Sequence, residues 1–293
     1  MSEIHAPLRD ELVGLSATIQ LANGVPMPRL GLGTYKSAEG GDVEGAVLAA
    51  LEIGYRGIDT ASLYGNEAGI GQAVRDSGVP RSELFIASKV WNTEQGYDST
   101  LRSFEGSLGR LGTDYLDLFL IHWPQPQSDE TWRGTLETWR AFERLYAEGA
   151  TRAIGVCNFL VHHLELLVAT AEVVPMVNQY EFHPWLQQPH LGSYCRDMRI
   201  VQQSWAPLMK GRVAEVPELV TIGEAHGKSA AQVALRWILQ RGMVTIPKSV
   251  HRERIVENAD VFDFSLTDEE VAMIDLVDRN HRFGPEPDKG GHR

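Results

Sequence analysis

With 293 residues and a hydrophobic fraction of 43%, the chain is long enough to bury a sizeable core as one large or two ordinary domains. Its net charge of −12 and isoelectric point near 5.3 leave no broad basic face for nucleic acid or an anionic membrane, so any phosphate site must be local. The two cysteines, Cys157 and Cys195, stand outside any CxxC spacing, which argues against a disulfide framework or a paired-cysteine zinc site.

Residues 1–16 are polar and are expected to form a flexible tail. They lack a basic stretch followed by an apolar run, and no apolar run elsewhere approaches the ~18 residues of a membrane helix. The expected compartment is the cytoplasm, with neither a membrane nor a nucleic-acid partner. Residues 18–21 and 25–27 are short extended runs around Asn23-Gly24, which predicts a hairpin. Two strands alone are marginal, so the hairpin must lie on something larger.

A regular alternation follows. Apolar strands are predicted at 30–33, 56–58, 84–90, 115–121, 153–156, 176–179, 200–204 and 244–246. Helical patterns follow them at 43–53, 69–76, 99–111, 131–148, 162–169, 190–196, 229–240 and 252–260. Runs such as FIASKV and LDLFLI read as strands buried on both faces. Eight such units in ~250 residues, with no composition break, predict an α/β fold of the (β/α)8 barrel type. The competing architecture is a doubly wound open sheet. Its dinucleotide fingerprint is missing, because Gly31-Leu32-Gly33 and Gly69-Ile70-Gly71 are followed by Lys36 and Val74 where the third glycine belongs. Two helical patterns, 216–226 and 267–278, fall outside the eight units, the second opening on a Thr267/Glu270 capping box. Residues 17–293 are therefore expected to form one domain, with two extra helices and a Gly/Pro-rich tail from 280 onward placed to reach across the barrel mouth.

In a barrel enzyme the chemistry sits where strands give way to loops on the C-terminal face. Those positions hold Thr34 and Tyr35, Asp59 and Tyr64, Lys89 and Trp91, His122 and Trp123, Asn158, Gln179, Trp205 and Lys248. Asp59 and Tyr64 can be read as a proton-handling pair, or as a turn-capping acid beside a half-buried phenol. Lys89 interrupts an apolar run, where an unpaired charge is penalised, and Asp59 is its obvious partner. His122 follows LDLFLI and can be a site residue or a satisfied core histidine. Four such groups at consecutive strand ends favour a joint function.

The motifs GYRGIDTA, YGNE, SKVW, IHWP, GVCNF, NQYEFHP, SWAPL and IPKSVHRERIVEN, in that order, resemble the aldo-keto reductase family over residues 19–285. The likeness is nearest to bacterial members that reduce small aldehydes, ketoaldehydes such as methylglyoxal, or diketo sugar acids such as diketogluconate. The resemblance implies a barrel capped by the hairpin, NADPH/NADP+ as cofactor, and a monomer acting on a small carbonyl substrate. It carries the catalytic roles to Asp59, Tyr64, Lys89 and His122. Tyr64 would be the general acid, its pKa lowered by the Lys89 cation, while Asp59 holds Lys89 and His122 orients the carbonyl oxygen. It places Asn158 and Gln179 on the nicotinamide carboxamide and Trp205 against the ring, with Gly33, Thr34, Asp59, Leu208 and Val250 also at the cofactor. Lys248, Ser249 and Arg254 would meet the 2′-phosphate, and Glu257 and Asn258 the adenine. Tyr35, Trp91, His122 and Trp123 would line the substrate pocket. Two positions depart from the family pattern: Gly57, usually larger, and Cys157, which replaces a serine common before Asn158.

Two other functions fit the same fold. One is a non-catalytic nucleotide-sensing or structural relative, against which the intact Asp-Tyr-Lys-His set argues. The other is a barrel lyase using Lys89 as a Schiff-base nucleophile. No HExxH pattern points to a metal.

Overall fold

The computed structural model describes residues 12–291. Most of the expected N-terminal tail lies outside the described residues; within them, Leu12 is buried against the core. The hairpin forms as β1 (Thr18–Gln20) and β2 (Pro26–Pro28), antiparallel, with Ile19 opposite Met27. Gly24 at φ 82° supplies the left-handed turn conformation, and Asn23 Oδ1 accepts from the Val25 N–H at 3.2 Å.

Eight parallel strands follow: β3 (Gly31–Gly33), β4 (Gly57–Asp59), β5 (Phe85–Val90), β6 (Leu118–Ile121), β7 (Ile154–Cys157), β8 (Val177–Glu181), β9 (Val201–Trp205) and β10 (Val244–Thr245). Each pairs with its neighbours in chain order. The parallel bridges Leu30–Thr245 and Gly33–Lys248 join the last strand to the first and close a (β/α)8 barrel. Gly33 allows that closure, since a side chain there would meet the Ile246 carbonyl.

The helices are α1 (Asp42–Ile53), α2 (Glu67–Ser77), α3 (Tyr97–Leu111), α4 (Asp129–Ala147), α5 (Val161–Val168), α6 (Pro189–Asp197), α7 (Pro217–His226), α8 (Ala230–Gln240), α9 (Arg252–Ala259) and α10 (Asp268–Asp275). The two helices outside the repeat, α7 and α10, pack against each other. Ser128, Ser229 and Thr267 accept from the third helical N–H of α4, α8 and α10, so polar caps mark these starts. Among the described residues no helix is long and apolar enough to cross a membrane.

Side-chain alternation builds two apolar layers. Ile86 and Val90 of β5, like Phe119 and Ile121 of β6, face the helices in the larger core. Phe85, Ala87, Leu118, Leu120, Val177, Val201 and Val244 face the barrel interior, where Leu21 and Met27 of the hairpin plug the lower end. Several strands run past their expected ends: β8 continues to Glu181 and β9 to Trp205. β6 begins at Leu118 rather than 115. The side chain of Asp117 there accepts from the Ile86 N–H and pairs with both Arg81 and Arg152, each at 2.7 Å.

Candidate active site

Following the inward face up each strand leads from the apolar plug to a polar centre. On β5 the series Phe85, Ala87 ends at Lys89; on β6, Leu118 and Leu120 lead to His122. On β8 and β9 it leads through Val177 to Gln179 and through Val201 to Gln203 and Trp205.

Lys89 is fully buried and donates to Asp59 Oδ1 at 2.6 Å and to the Thr60 carbonyl at 2.9 Å. Burial pushes the ammonium toward neutrality, but the Asp59 carboxylate outweighs it and holds the pKa above the usual lysine range. The other Asp59 oxygen accepts from Gln179 Nε2 at 2.7 Å, and the same nitrogen donates to Gln203 Oε1 at 2.8 Å. The Tyr64 hydroxyl lies 3.5 Å from Lys89 Nζ, in the turn Ser62–Tyr64 after β4. The cation was expected to lower the Tyr64 pKa. It pulls in that direction, but burial dominates and the phenol is held above its ordinary value.

His122 is buried and lies edge-on to Tyr64 at 5.6 Å and to Trp91 at 5.1 Å between ring centroids. Burial, then the Lys89 charge, lowers its pKa well below the usual histidine range, so the ring is neutral at pH 7. Its Nδ1 is buried without a hydrogen-bond partner among the described residues. Tyr35 is 53% exposed and packs on Tyr64 with centroids 5.0 Å apart. Trp91 is half-buried, and Trp123 is buried with Gly291 lying on its ring.

Asn158 follows β7 in the left-handed conformation, φ 65°. Its Oδ1 accepts from Trp205 Nε1 at 2.8 Å, and its Nδ2 donates to the His122 carbonyl at 3.0 Å and to Cys157 Sγ at 3.1 Å. Because an indole N–H only donates and a carboxylate only accepts, these contacts fix how Asn158 and Gln179 face. Their amide hydrogens are committed to protein partners. Acceptor capacity on the two amide oxygens remains, which suits the NH2 of a primary carboxamide. Burial raises the pKa of the Cys157 thiol and keeps it protonated.

The remaining sequence-predicted positions gather beside the barrel's closing strands. Thr34 is buried, its hydroxyl donating to the Asp59 carbonyl at 2.9 Å. Leu208 and Val250 are half-buried, Lys248 and Arg254 exposed, and Ser249 and Asn258 buried. Neither Lys248 nor Arg254 forms an ion pair with a described residue. In a chain of net charge −12, two cations without ion pairs at the start of α9 fit a phosphate group. Glu257 accepts from the Ser229 hydroxyl at 2.5 Å, which holds its side chain toward α8.

The C-terminal segment crosses the mouth as a strap. Phe283 and Gly284 dock on Glu181, and Asn92 Nδ2 donates to the Gly290 carbonyl at 2.6 Å. Asp288 Oδ1 lies 2.8 Å from His162 Nε2 and 3.1 Å from His163 Nε2. This trio resembles a metal ligand set, but His163 Nδ1 accepts from the Leu160 N–H at 3.1 Å. The ring proton of the neutral imidazole therefore sits on Nε2, which leaves that nitrogen no lone pair for a metal. The trio is a clasp for the strap.

Sequence reasoning missed Thr60, Gln203 and Glu181. The inward alternation of β8 and β9 would have found the last two; Thr60 acts through its carbonyl, which no side-chain pattern reveals.

Comparison with known proteins adds to this geometry. A family model described as the Aldo/keto reductase family matches residues 29–279. The chain is 52% identical over 275 residues to glyoxal reductase of Bacillus subtilis (strain 168), covering 94% of this chain and 98% of that protein. The crystal structure of MGS-M4, an aldo-keto reductase from a Medee basin deep-sea metagenome library, matches with TM-score 0.88 and 45% identity over 92% of this chain and 98% of that one. An aldo-keto reductase of Bombyx mori in complex with NADP matches with TM-score 0.84 and 34% identity, covering 90% of this chain and 94% of that one.

Proposed function

The chain belongs to the aldo/keto reductase family, and we infer that Tyr64 is the proton donor in its reduction of small carbonyl compounds. The reaction class is NADP-dependent oxidoreduction at a carbonyl group. The observation that carries the assignment to Tyr64 is the chain from buried Asp59 and Lys89 to the half-buried Tyr64 at the barrel mouth, beside a neutral His122.

Bound NADPH supplies the hydride. Reduction leaves an oxyanion where the carbonyl oxygen was, and Tyr64 gives it a proton. The high pKa of Tyr64 keeps the phenol charged with that proton at neutral pH. Lys89, 3.5 Å from the hydroxyl, stabilises the phenolate as the proton leaves. Asp59 fixes Lys89 in place and compensates its charge. The neutral His122 can donate a hydrogen bond to the carbonyl oxygen and orient it without adding a second cation.

For the cofactor, Lys248, Ser249 and Arg254 would hold the 2′-phosphate and Asn158, Gln179 and Trp205 the nicotinamide. Gly33, Thr34, Asp59, Leu208 and Val250 would line its path, with Glu257 and Asn258 at the adenine. Tyr35, Trp91, His122 and Trp123 form the aromatic wall of the substrate pocket. Glyoxal reductase of B. subtilis supports a small dicarbonyl as substrate. The lyase reading loses ground because Lys89 is charged and tied to Asp59, which removes the lone pair a Schiff base needs.

The test is NADPH oxidation with methylglyoxal, nitrobenzaldehyde and diketogluconate offered in turn. Turnover is expected with at least the ketoaldehyde. Absence of oxidation with all three would reject the small-carbonyl reading.

A further inference from the structure

Glu181 ends β8 two positions above Gln179 and stands level with Trp205 in the strand register. The chemistry described above does not use it, yet its carboxylate is 0% exposed. A carboxylate taken out of water needs donors around it. Nearly all of them come from the strap. The Phe283 N–H donates to Oε1 at 2.6 Å and the Gly284 N–H to Oε2 at 3.0 Å. Arg282 places a cation 3.7 Å from Oε2, and His183 Nε2 lies 3.1 Å from Oε1.

Glu181 thus fastens residues 282–284 to the barrel wall beside Trp205. Gly284 is what the fastening brings there. Any side chain at 284 would run into the six-membered rim of the Trp205 indole and into Glu181 Oε2. Along the same indole edge, two bonds from Cζ2, Nε1 donates to Asn158 Oδ1 at 2.8 Å. The indole is therefore held at Nε1 and at its six-membered rim, and the contact at the rim depends on Glu181.

We propose that Glu181 is a positioning residue for the nicotinamide half of the cofactor, drawing the strap down so that Gly284 sets the plane of Trp205. This rests on the reading of Trp205 as the stacking partner of that ring. Glutamine is nearly isosteric but offers a single acceptor oxygen where two backbone N–H groups converge. One strap N–H would lose its partner and the strap would lift. Gly284→Ala should displace the same ring from the other side, through its added methyl group.

The experiment measures dissociation constants of Glu181→Gln, Gly284→Ala and the double variant for two ligands. One is NADPH; the other is adenosine 2′,5′-bisphosphate, which carries the adenine and 2′-phosphate but no nicotinamide. NADPH should bind about tenfold more weakly to each variant, as for one lost hydrogen bond. The bisphosphate should bind as it does to the wild type. The double variant should be no worse than its weaker parent, because both changes act on one ring. Equal weakening of both ligands would show a merely structural role and overturn the proposal. Trp205→Leu separates this proposal from its premise. If it leaves NADPH affinity intact, the stacking reading fails. If it weakens NADPH while Glu181→Gln and Gly284→Ala do not, the positioning role alone fails. Should Glu181→Gln not fold, Gly284→Ala decides by the same two ligands.

Discussion

Burying an ammonium ion in a barrel interior is tolerable only with compensation in place, and Lys89 has a carboxylate at 2.6 Å and a backbone carbonyl at 2.9 Å. That requirement made the pair legible in the sequence: a lysine inside FIASKV demands a partner, and Asp59 was the acid at the neighbouring strand end. The balance at Tyr64 was not legible, because it depends on how deeply the phenol sits. Lys89 lowers the phenol's pKa and burial raises it further, a contest that only the packing decides. The proton-donor role makes a sharp expectation. Tyr64→Phe keeps the ring that packs between Tyr35 and His122 but removes the proton. Turnover should fall by ~10²–10⁴-fold while NADPH affinity persists. Retention of more than about a tenth of wild-type turnover would contradict the general-acid role.

At the scale of elements, the barrel repeat was readable because each strand is buried on both faces and each helix carries its own apolar stripe. The strand ends were less readable, since hydrogen bonding extends β8 through Tyr180 to the charged Glu181 and β9 to Trp205. Glu181 gained its place that way. The start of α9 shows the reverse case, where sequence spacing was enough to place the helix. Arg254 and Asn258 lie one turn apart in a helix beginning at Arg252, and Lys248 and Ser249 lead into it. Arg252 is already paired with Glu52 at 2.7 Å, which leaves Arg254 as the helix's cation without an ion pair to a described residue. If Arg254 meets the 2′-phosphate, Arg254→Ala removes a charge-assisted bond of ~1.5–3 kcal/mol, a weakening of about 10–150-fold for NADPH. NADH lacks the phosphate and should be little affected. Binding measured for both cofactors checks this, and equal weakening would assign Arg254 a structural role instead.

Across the whole molecule, the strap ties the C-terminus to the mouth at Glu181 and, through Asp288, to α5. The sequence marked a Gly/Pro-rich tail but not its anchors, because the donors are mostly backbone N–H groups. The burial of His163 on α5 couples the fold to pH. Burial, then His162, depresses the His163 pKa to about 4, against the opposing pull of Asp288. An unfolded chain takes up that proton near pH ~6.5. Between the two values the unfolded state binds the extra proton, so stability is full above pH ~6.5 and falls as the pH drops. His122, depressed by burial and Lys89, acts in the same direction. Each contributes up to ~1.4 kcal/mol per pH unit in its window. Urea midpoints measured between pH ~6.5 and ~5 should therefore fall less steeply for His163→Gln than for the wild type; equal slopes would remove His163 from the account. The closing strands carry a different consequence. The bridges Leu30–Thr245 and Gly33–Lys248 join the two ends of the sheet, and the positions proposed for the cofactor stand on both lips of that join. Synthesis delivers the lip at Leu30 and Gly33 long before the lip at Thr245 and Lys248. While the nascent chain grows it can hold seven of the eight strands and still be an open sheet with two bare edges, exposed to mispairing and without a groove. A chain that stops before Val244 lacks the eighth strand and both closing bridges, so its sheet cannot close.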